Sequence, residues 1–358
     1  MGQVKASVPF QMQRLGLVMQ ADANIPEEVE GVLNPAAARG PDGDLYLLPR
    51  IVGKGNYSRI GIARVRFNDD GDPEGVERLG YALEPSEPYE LRPDEGTGGC
   101  EDPRVTYVEP LDMYVMGYTA WGPTGPRVAI AVSHDLFSWR RLGLANFDPD
   151  PDPVYGVDFD DYHNKDAAFF PRPVRAPNGV ESIAMLHRPV YTEEDVPRGI
   201  TDPRPSIWIS YCPLQDVLYD LSALTGWRQH HALIDPDYPW EALRIGAGTQ
   251  PVLTRHGWLL VYHGASGIIP SDPSLPKDVH YSAGALVLDE VDPLRVLYRS
   301  PTPILEPATG EERVGIVDNV VFPEGADDRG DGRIDVYYGM ADERIGVALL
   351  TVPEQLPT

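Results

Sequence analysis

The 358-residue sequence has only two cysteines, Cys100 and Cys212, so it cannot form a disulfide framework. That scarcity fits a reducing compartment. No stretch approaches the roughly 18 consecutive apolar residues of a membrane span, and the start, MGQVKASVPFQMQRLG, lacks the apolar run of a signal peptide. We therefore predict a cytoplasmic protein with no membrane partner.

Basic residues are also scarce. The chain has 30 lysines and arginines against 55 aspartates and glutamates, which gives a net charge of -25. Such a chain repels a phosphate backbone and has no basic stripe, so we predict no nucleic-acid partner.

Motifs for metal or serine chemistry are missing. The eight histidines include no H-E-x-x-H pair, and no serine lies in a G-x-S-x-G turn. The segment ADDRGDGRID (326–335) resembles a calcium loop, but Arg329 stands at a ligand position and the closing glutamate is absent. We predict no metal and no organic cofactor.

Helical periodicity is rare because 37 prolines and 35 glycines interrupt it, whereas strand patterns are abundant. Five segments repeat one order of strands, and the second strand of each ends in small, aromatic or basic residues. These second strands are LYLLPR, MYVMGYTA, SIAMLHRPV, WLLVYHGA and DVYYGMAD.

Five blocks of about four strands predict an all-β, five-bladed β-propeller with the active site at the mouth of the central channel. We expect a single domain, in which residues 1–31 form an N-terminal extension that covers or completes a blade. The predicted blades are 32–80, 100–145, 164–233, 246–300 and 315–353.

Polar residues recur where the first strand of each block begins, and these starts meet at the channel mouth. They are Asn34, Asp102, Asn164 to Asp166, Gln250, and Asp318 with Asn319. The second strands end near Arg50, His187 with Arg188, His263 and Asp342. Charges beside buried runs are costly unless they are paired or functional, so we predict a site for a polyhydroxylated or anionic ligand.

Several motifs together resemble glycoside hydrolase family 130, over about residues 32 to 350. They include GCEDPRVTYV, NKDAAFFPRPV, WEALRIGAGTQPVL, GWLLVYHGA and VVFPEG. The resemblance implies a five-bladed propeller that acts on β-mannosides, in most members as an inverting phosphorylase that releases mannose 1-phosphate.

The resemblance also implies roles for single residues. Asp102 matches the general acid, whose proton passes through a mannose hydroxyl. Arg104 is expected to pair with a carboxylate or the sugar, and Asp166 to contact the substrate. The residues that match the mannose grip are Asn34, Arg50 and Asp342. Those expected to hold phosphate, the only co-substrate, are His163, Asn164, Arg188, Arg244, His263 and Tyr281.

Two departures from the family pattern bear on phosphate use. Arg244 replaces a usual lysine, and His163 stands near the place of an arginine that phosphorylases carry before the Asn-Lys-Asp triplet. Histidine is charged only when it is protonated. An inverting hydrolase is therefore the alternative, with Glu241 as the general base because it lies one helical turn from Arg244.

A propeller that only binds glycans is a further alternative, since one fold hosts many functions. The sequence leaves open the linkage, the acceptor sugar and the oligomeric state, although homo-oligomers are common among relatives. The expected partners are an oligosaccharide and phosphate.

Overall fold

The computed structural model describes residues 10–91, 98–147, 159–191, 196, 200–269, 278–330 and 332–356. Asp331 and residues 1–9 of the predicted extension lie outside these ranges. None of the described helices is both long enough and apolar enough to cross a membrane.

The described strands form five mainly antiparallel blades in four hydrogen-bonded sheets, because a short parallel pairing of Tyr57 and Ser58 with Gly98 and Gly99 joins blades one and two. Strand β1 (Gln11–Gln20) belongs to the last blade. Blade one contains β2 (Gly31–Arg39), β3 (Leu45–Gly53), β4 (Tyr57–Phe67) and β5 (Pro73–Leu83). Blade two contains β6 (Gly98–Val108), β7 (Met113–Gly122), β8 (Gly125–Ser133) and β9 (Arg140–Leu144).

Blade three contains β10 (Asn146–Phe147), β11 (His163–Phe169), β12 (Val174–Arg175), β13 (Glu181–Val190), β14 (Ile207–Pro213) and β15 (Gly226–Ile234). Blade four contains β16 (Arg244–Gly246), β17 (Val252–Thr254), β18 (Gly257–Ile268), β19 (Asp278–Leu288) and β20 (Val296–Arg299). Blade five contains β21 (Val321–Gly330), β22 (Arg333–Met340), β23 (Arg344–Thr351) and, as its outer strand, β1. The short helices are α1 (Leu214–Tyr219), α2 (Gly310–Arg313) and 3-10 turns at Pro26–Glu28, Glu109–Leu111, Phe159–Asp161, Leu221–Thr225 and Pro239–Glu241.

The hydrophobic core of the described chain divides into five clusters, one between each pair of neighbouring blades. The cluster between blades five and one includes Val32 and Tyr337, so the ring closes on itself. Second strands such as β7 and β22 are buried on both faces because a blade packs on either side of them. This explains why the second strands are the most continuously apolar segments of the sequence.

The outer strand of blade five comes from the start of the chain. β1 pairs antiparallel with β23, with Gln11 opposite Thr351 and Gln20 opposite Arg344. Arg14 of β1 adds an ion pair with the buried Glu312, with 2.7 Å between Nε and Oε1. Two segments from opposite ends of the sequence therefore share one sheet.

Three blades each contain a buried glutamate with the same set of contacts. Its carboxylate accepts hydrogen bonds from two main-chain N–H groups of the turn that precedes it, from a tyrosine hydroxyl of the second strand, and from an arginine of the outer strand. The three sets are Glu90 with Tyr118 and Arg141, Glu241 with Tyr262 and Arg299, and Glu312 with Tyr338 and Arg14. Charge-assisted hydrogen bonds of this kind are about twice as strong as neutral ones. We call these sets the glutamate braces.

Candidate active site

Three inner strands break their pairing at the same place. The register shifts between Leu33 and Ala36 in β2, between Glu101 and Arg104 in β6, and between Lys165 and Ala168 in β11. At these bulges Asn34, Asp102 and Asp166 adopt left-handed backbone, with φ of 43°, 47° and 59°. Aspartate and asparagine tolerate that conformation better than other residues, and a bulge re-aims its side chain. The three side chains therefore line one cavity.

This cavity, of about 440 Å³, lies at one end of the inner strands. Nine of the predicted site residues line it: Asn34, Arg50, Asp102, His163, Asp166, Arg188, Arg244, Tyr281 and Asp342. The other lining residues are Asn56, Glu101, Trp121, Pro126, Lys165, Val190, Ile269, Val279, Val317, Val320 and Phe322. Within the described ranges, no group of three or more His, Cys, Asp or Glu side chains is arranged to hold a metal ion.

Asp102 is held in its ionised form. Its Oδ1 accepts hydrogen bonds from Asn34 Nδ2 at 3.0 Å and from Arg50 NH1 at 3.2 Å. Burial opposes ionisation, but the charges of Arg50 and Lys165 outweigh it and lower the pKa of Asp102 below its usual value. Arg50 is held in turn by Glu101, with 2.8 Å between NH2 and Oε1.

Asp166 organises the opposite wall of the cavity. Its Oδ2 lies 2.5 Å from Arg188 Nε and 3.6 Å from His263 Nε2. Burial opposes ionisation of Asp166, yet its pKa is lowered because Arg188 and Arg104 stabilise the carboxylate. His263 is fully buried beneath the cavity, and burial lowers its pKa to about 3, so its imidazole is neutral at pH 7.

Arg244 differs from the other arginines of the site. It lines the cavity, and its buried Nε has no hydrogen-bond partner among the described residues. Arg50 and Arg188, by contrast, each pair with a carboxylate. An arginine fork without a counterion, beside Arg188 and Tyr281, suits an anionic ligand.

Glycines make room for two of the polar side chains. A Cβ on Gly246 would lie 2.1 Å from Asp166 Oδ2 and 2.6 Å from a ring atom of His263. A Cβ on Gly339 would lie 2.1 Å from Asn34 Oδ1. Both glycines are therefore part of the site, although neither touches the open cavity.

Four predicted site residues, Asn164, Arg104, Glu241 and His263, do not line the cavity. Asn164 turns away and bonds His187 Nδ1, because the bulge at Asp166 ends the alternation that would have placed both side chains on one face. Arg104 is buried, with its side chain 1% exposed, and it bonds to backbone carbonyls below the site. Phosphate contact by Asn164 and sugar contact by Arg104 are thus wrong predictions, whereas the alternative that Arg104 lies beside a carboxyl group agrees with its contacts to Asp166 and Glu324.

The prediction that Glu241 is a substrate-binding residue and a general base is also wrong. Its Oε2 accepts hydrogen bonds from the N–H groups of Asp237 and Tyr238, and its Oε1 accepts one from Tyr262. Arg299 NH2 lies 2.5 Å from Glu241 Oε2 and neutralises the carboxylate, and the Glu241 side chain is fully buried. Glu241 is a glutamate brace, with neither a free lone pair facing the cavity nor access to water.

Other predicted residues take different places. His163 is exposed at the cavity rim. Partial burial of its ring, together with the positive charge of nearby Arg127, lowers the pKa of His163. His163 therefore does not replace the positive charge of an arginine. Gln250 lies in a separate cavity of about 770 Å³ lined by later residues of the inner strands, where its amide bonds the Ala326 carbonyl.

Sequence reasoning missed Glu101 and Trp121 as site residues, and it named Lys165 only among the polar residues expected at the channel mouth. Lys165 Nζ lies 3.6 Å from Glu101 Oε2 and 4.6 Å from the centroid of the Trp121 ring. Glu101 is adjacent to Asp102 in the GCEDPRVTYV motif. That adjacency was the available signal, because a bulge lets consecutive residues face the same side.

Comparisons with known proteins identify the family of this chain. Residues 9–357 match the glycoside hydrolase family 130 profile described as beta-1,4-mannooligosaccharide phosphorylase. The chain belongs to glycoside hydrolase family 130. It is 31% identical to a 1,2-beta-oligomannan phosphorylase of Thermoanaerobacter sp., over 94% of this chain and 95% of that protein. It is 32% identical to a beta-1,2-mannobiose phosphorylase of Listeria innocua serovar 6a, over 73% and 60% of the two chains.

Solved structures of the family share the fold. The beta-1,2-mannobiose phosphorylase of Listeria innocua, in complex with beta-1,2-mannobiose, superposes with a TM-score of 0.69. That match has 24% identity and covers 95% of this chain and 97% of the other. The all-β, five-bladed propeller predicted from the strand repeats is confirmed, as is membership of family 130.

Proposed function

We propose that the protein cleaves β-linked mannosides by inverting phosphorolysis and releases mannose 1-phosphate. The observation that carries the proposal is the guanidinium of Arg244, whose Nε has no hydrogen-bond partner among the described residues, in the same cavity as Asp102. A hydrolase has no use for a free arginine fork beside Arg188, whereas phosphate needs such a clamp. Two relatives, 31% and 32% identical to this chain, are named mannoside phosphorylases.

In this reaction the bond between mannose C1 and the glycosidic oxygen breaks, and a bond from C1 to a phosphate oxygen forms on the opposite face. Asp102 is the general acid, whose proton reaches the leaving oxygen through a mannose hydroxyl. Asn34, Arg50 and Asp342 hold the mannose ring. Arg188, Arg244 and Tyr281 hold phosphate in line, with neutral His263 beneath them.

The protonation of Asp102 depends on the bound phosphate. In the free site, Arg50, Lys165 and Asn34 stabilise the carboxylate and keep its pKa low. A phosphate dianion beside Arg188 adds negative charge near Asp102, and a nearby like charge raises the pKa of a carboxyl group. Phosphate binding therefore favours the protonated form of Asp102 that the reaction needs.

The test is to incubate the purified protein with β-1,2-, β-1,3- and β-1,4-mannobiose and mannosyl-glucose, with and without inorganic phosphate. β-1,2-linked substrates are the first choice, because the relative matched over nearly its full length is an enzyme of 1,2-beta-oligomannan. We expect phosphate-dependent mannose 1-phosphate, measured by phosphorus NMR. Free mannose released equally without phosphate would establish hydrolysis instead, and saccharide binding without any product would leave a glycan-binding propeller.

A further inference from the structure

Glu324 is a fully buried carboxyl group that the proposed reaction does not use. It lies in β21 at a break in the pairing with β22, between Pro323 and Gly325. Neither of its oxygens has a hydrogen bond of good geometry within the described residues, and Arg104 NH1 lies 3.1 Å from Oε1. A buried carboxyl group with so few hydrogen bonds lowers the stability of the fold, which suggests that it has a function.

The guanidinium of Arg104 contacts several groups in the centre of the ring. Its Nε donates to the Gly248 carbonyl at 2.7 Å and its NH2 to the Ala247 carbonyl at 2.9 Å. NH2 also lies 3.6 Å from Asp166 Oδ1. NH1 faces Glu324 and donates to the main-chain carbonyl of Asp102 at 3.3 Å. Each of the three guanidinium nitrogens therefore donates to a main-chain carbonyl, and two of them also face a carboxyl group.

The arrangement joins the acid to three other blades. Arg104 lies two residues after Asp102 in blade two, and its acceptors come from blades three, four and five. Asp102 holds a left-handed φ of 47°, which the peptide keeps only where its surroundings fix it. The bond from Arg104 to the Asp102 carbonyl is one of the contacts that fix it.

Resting on the proposed function, we propose that Glu324 is a positioning residue that acts through Arg104. It holds the guanidinium against the carbonyl of Asp102, and so keeps the acid aimed into the cavity. Asp166 alone does not suffice for this, because its other oxygen is committed to Arg188 at 2.5 Å.

Glu324 performs this role as a neutral group. Burial raises its pKa well above the usual value, and the charges of Asp102 and Asp166 raise it further against those of Arg104 and Arg50. A neutral carboxyl group faces Arg104 NH1 with 3.1 Å to Oε1 and adds no third negative charge near the acid. Glutamine has the same shape and the same carbonyl, so it is the conservative replacement.

The experiment compares Glu324→Ala, Glu324→Asp and Glu324→Gln with the wild type, and measures kcat and KM separately. The matched control is Asp335→Ala, which removes an equally buried carboxylate of the same blade that pairs with Arg329 at 2.6 Å outside the cavity. Misplacement of a reacting group by about 1 Å can cost about 10²-fold in rate. We expect kcat to fall by about that factor in the alanine variant, and by about 10-fold in the aspartate variant.

KM should change by less than about threefold in all variants, and glutamine should restore at least about a third of the wild-type kcat. Asp335→Ala should lose stability but keep its kcat. The idea is overturned if the folded alanine or aspartate variant keeps the wild-type kcat, or if glutamine is as inactive as alanine.

Failure of the proposed function is recognised separately, because the wild type would then release no mannose 1-phosphate from any mannoside. A crystal structure of the aspartate variant decides the positioning role in that case. Displacement of Arg104 from the Asp102 carbonyl supports it, and an unmoved guanidinium refutes it.

Discussion

Asn34 donates its side-chain amide to Asp102 Oδ1 at 3.0 Å, across the boundary between blades one and two. Both residues occupy equivalent bulges and both have left-handed backbone. The same structural solution, repeated in neighbouring blades, thus brings a neutral donor and an acid into contact in the cavity. Predictions about the acid follow from this contact.

Asp102→Asn should abolish turnover and keep the fold. Asparagine tolerates a φ of 47° and can remain hydrogen-bonded to Arg50, but it has no proton of suitable acidity. We expect kcat to fall by about 10²–10⁴-fold, the usual contribution of a general acid, with a melting temperature near the wild-type value. Near-normal product release by this variant would exclude Asp102 as the acid.

Gly339→Ala should lower activity by displacing Asn34, although Gly339 does not line the cavity. The new Cβ would lie 2.1 Å from Asn34 Oδ1, so Asn34 must move and release Asp102. We expect at least a tenfold loss of kcat/KM, in line with the cost of misplaced catalytic groups. Gly310→Ala is the control, since a Cβ there meets no atom within 4 Å. Equal activity in the two variants would contradict the role of Gly339.

Arg244→Ala should raise the KM for phosphate by about 10- to 100-fold, because a charge-assisted contact to a dianion is worth about 1.5–3 kcal/mol. The KM for the mannoside should change little. Initial rates over a matrix of phosphate and mannoside concentrations separate the two effects. Arg295→Ala, an exposed arginine of the same blade, serves as the control. An unchanged phosphate KM would remove Arg244 from the clamp.

Glu241→Gln should reduce stability rather than catalysis. An amide in place of the carboxylate loses either the main-chain N–H donors or the pairing with Arg299. We expect a loss of about 3 kcal/mol in the free energy of unfolding, measured with urea. Glu312→Gln, in an equivalent brace, should behave alike. If only the Glu241 variant lost turnover, Glu241 would have a catalytic role after all.

The contribution of His263 to stability should fall as the pH drops from about 6.5 towards 3, whereas the raised pKa of buried Glu324 contributes with the opposite sign. The pKa of His263 is lowered from 6.5 to about 3, because burial and the charges of Arg188, Arg104 and Arg244 outweigh Asp166. In this window the unfolded chain binds a proton that the folded protein refuses, so acid favours unfolding. Between pH 6.5 and 4.5 the histidine alone should cost about 2–3 kcal/mol.

His263→Asn tests this dependence. The slope of unfolding free energy against pH should be shallower in the variant by close to one proton, although buried His187 adds to the slope in both proteins. Asp102 and Asp166 have lowered pKa values, so their stabilisation is present above about pH 3.8 and is lost only below it. Identical slopes between pH 6.5 and 4.5 would contradict the neutral, buried state of His263.

Much of the fold was predictable from the sequence because each blade repeats the same local pattern. The second strands had to be apolar on both faces, and polar residues had to mark the starts of the inner strands. Asn34 and Asp102 could be placed together for that reason. Arg188 and Asp342 followed from their positions at the ends of second strands.

The mistakes arose where long-range geometry decides. Arg104 finds its acceptors at Ala247 and Gly248, more than 140 residues later, and strand alternation carries no information about that pairing. Asn164 was misplaced because the bulge at Asp166, which strand alternation does not predict, turns Asp166 to a different face from Asn164.

Glu241 is a different kind of mistake. Its spacing from Arg244 suggested a shared face of a helix, but the segment is a short 3-10 turn at Pro239–Glu241. The Glu241 carboxylate folds back onto the N–H groups of Asp237 and Tyr238. Because Tyr238 is not the Ser or Thr of a capping box, the sequence did not reveal this structural role.

The pairing of β1 with β23 affects how the molecule is made. During synthesis the segment Gln11–Gln20 emerges early, yet its partner Arg344–Thr351 follows more than 320 residues later. The first strand must therefore wait unpaired, and contacts between such distant segments form slowly. An unpaired strand edge invites pairing with other chains during that interval. Assembly of this enzyme on the ribosome should consequently end with a single late event that joins both ends of the sequence and seals the ring.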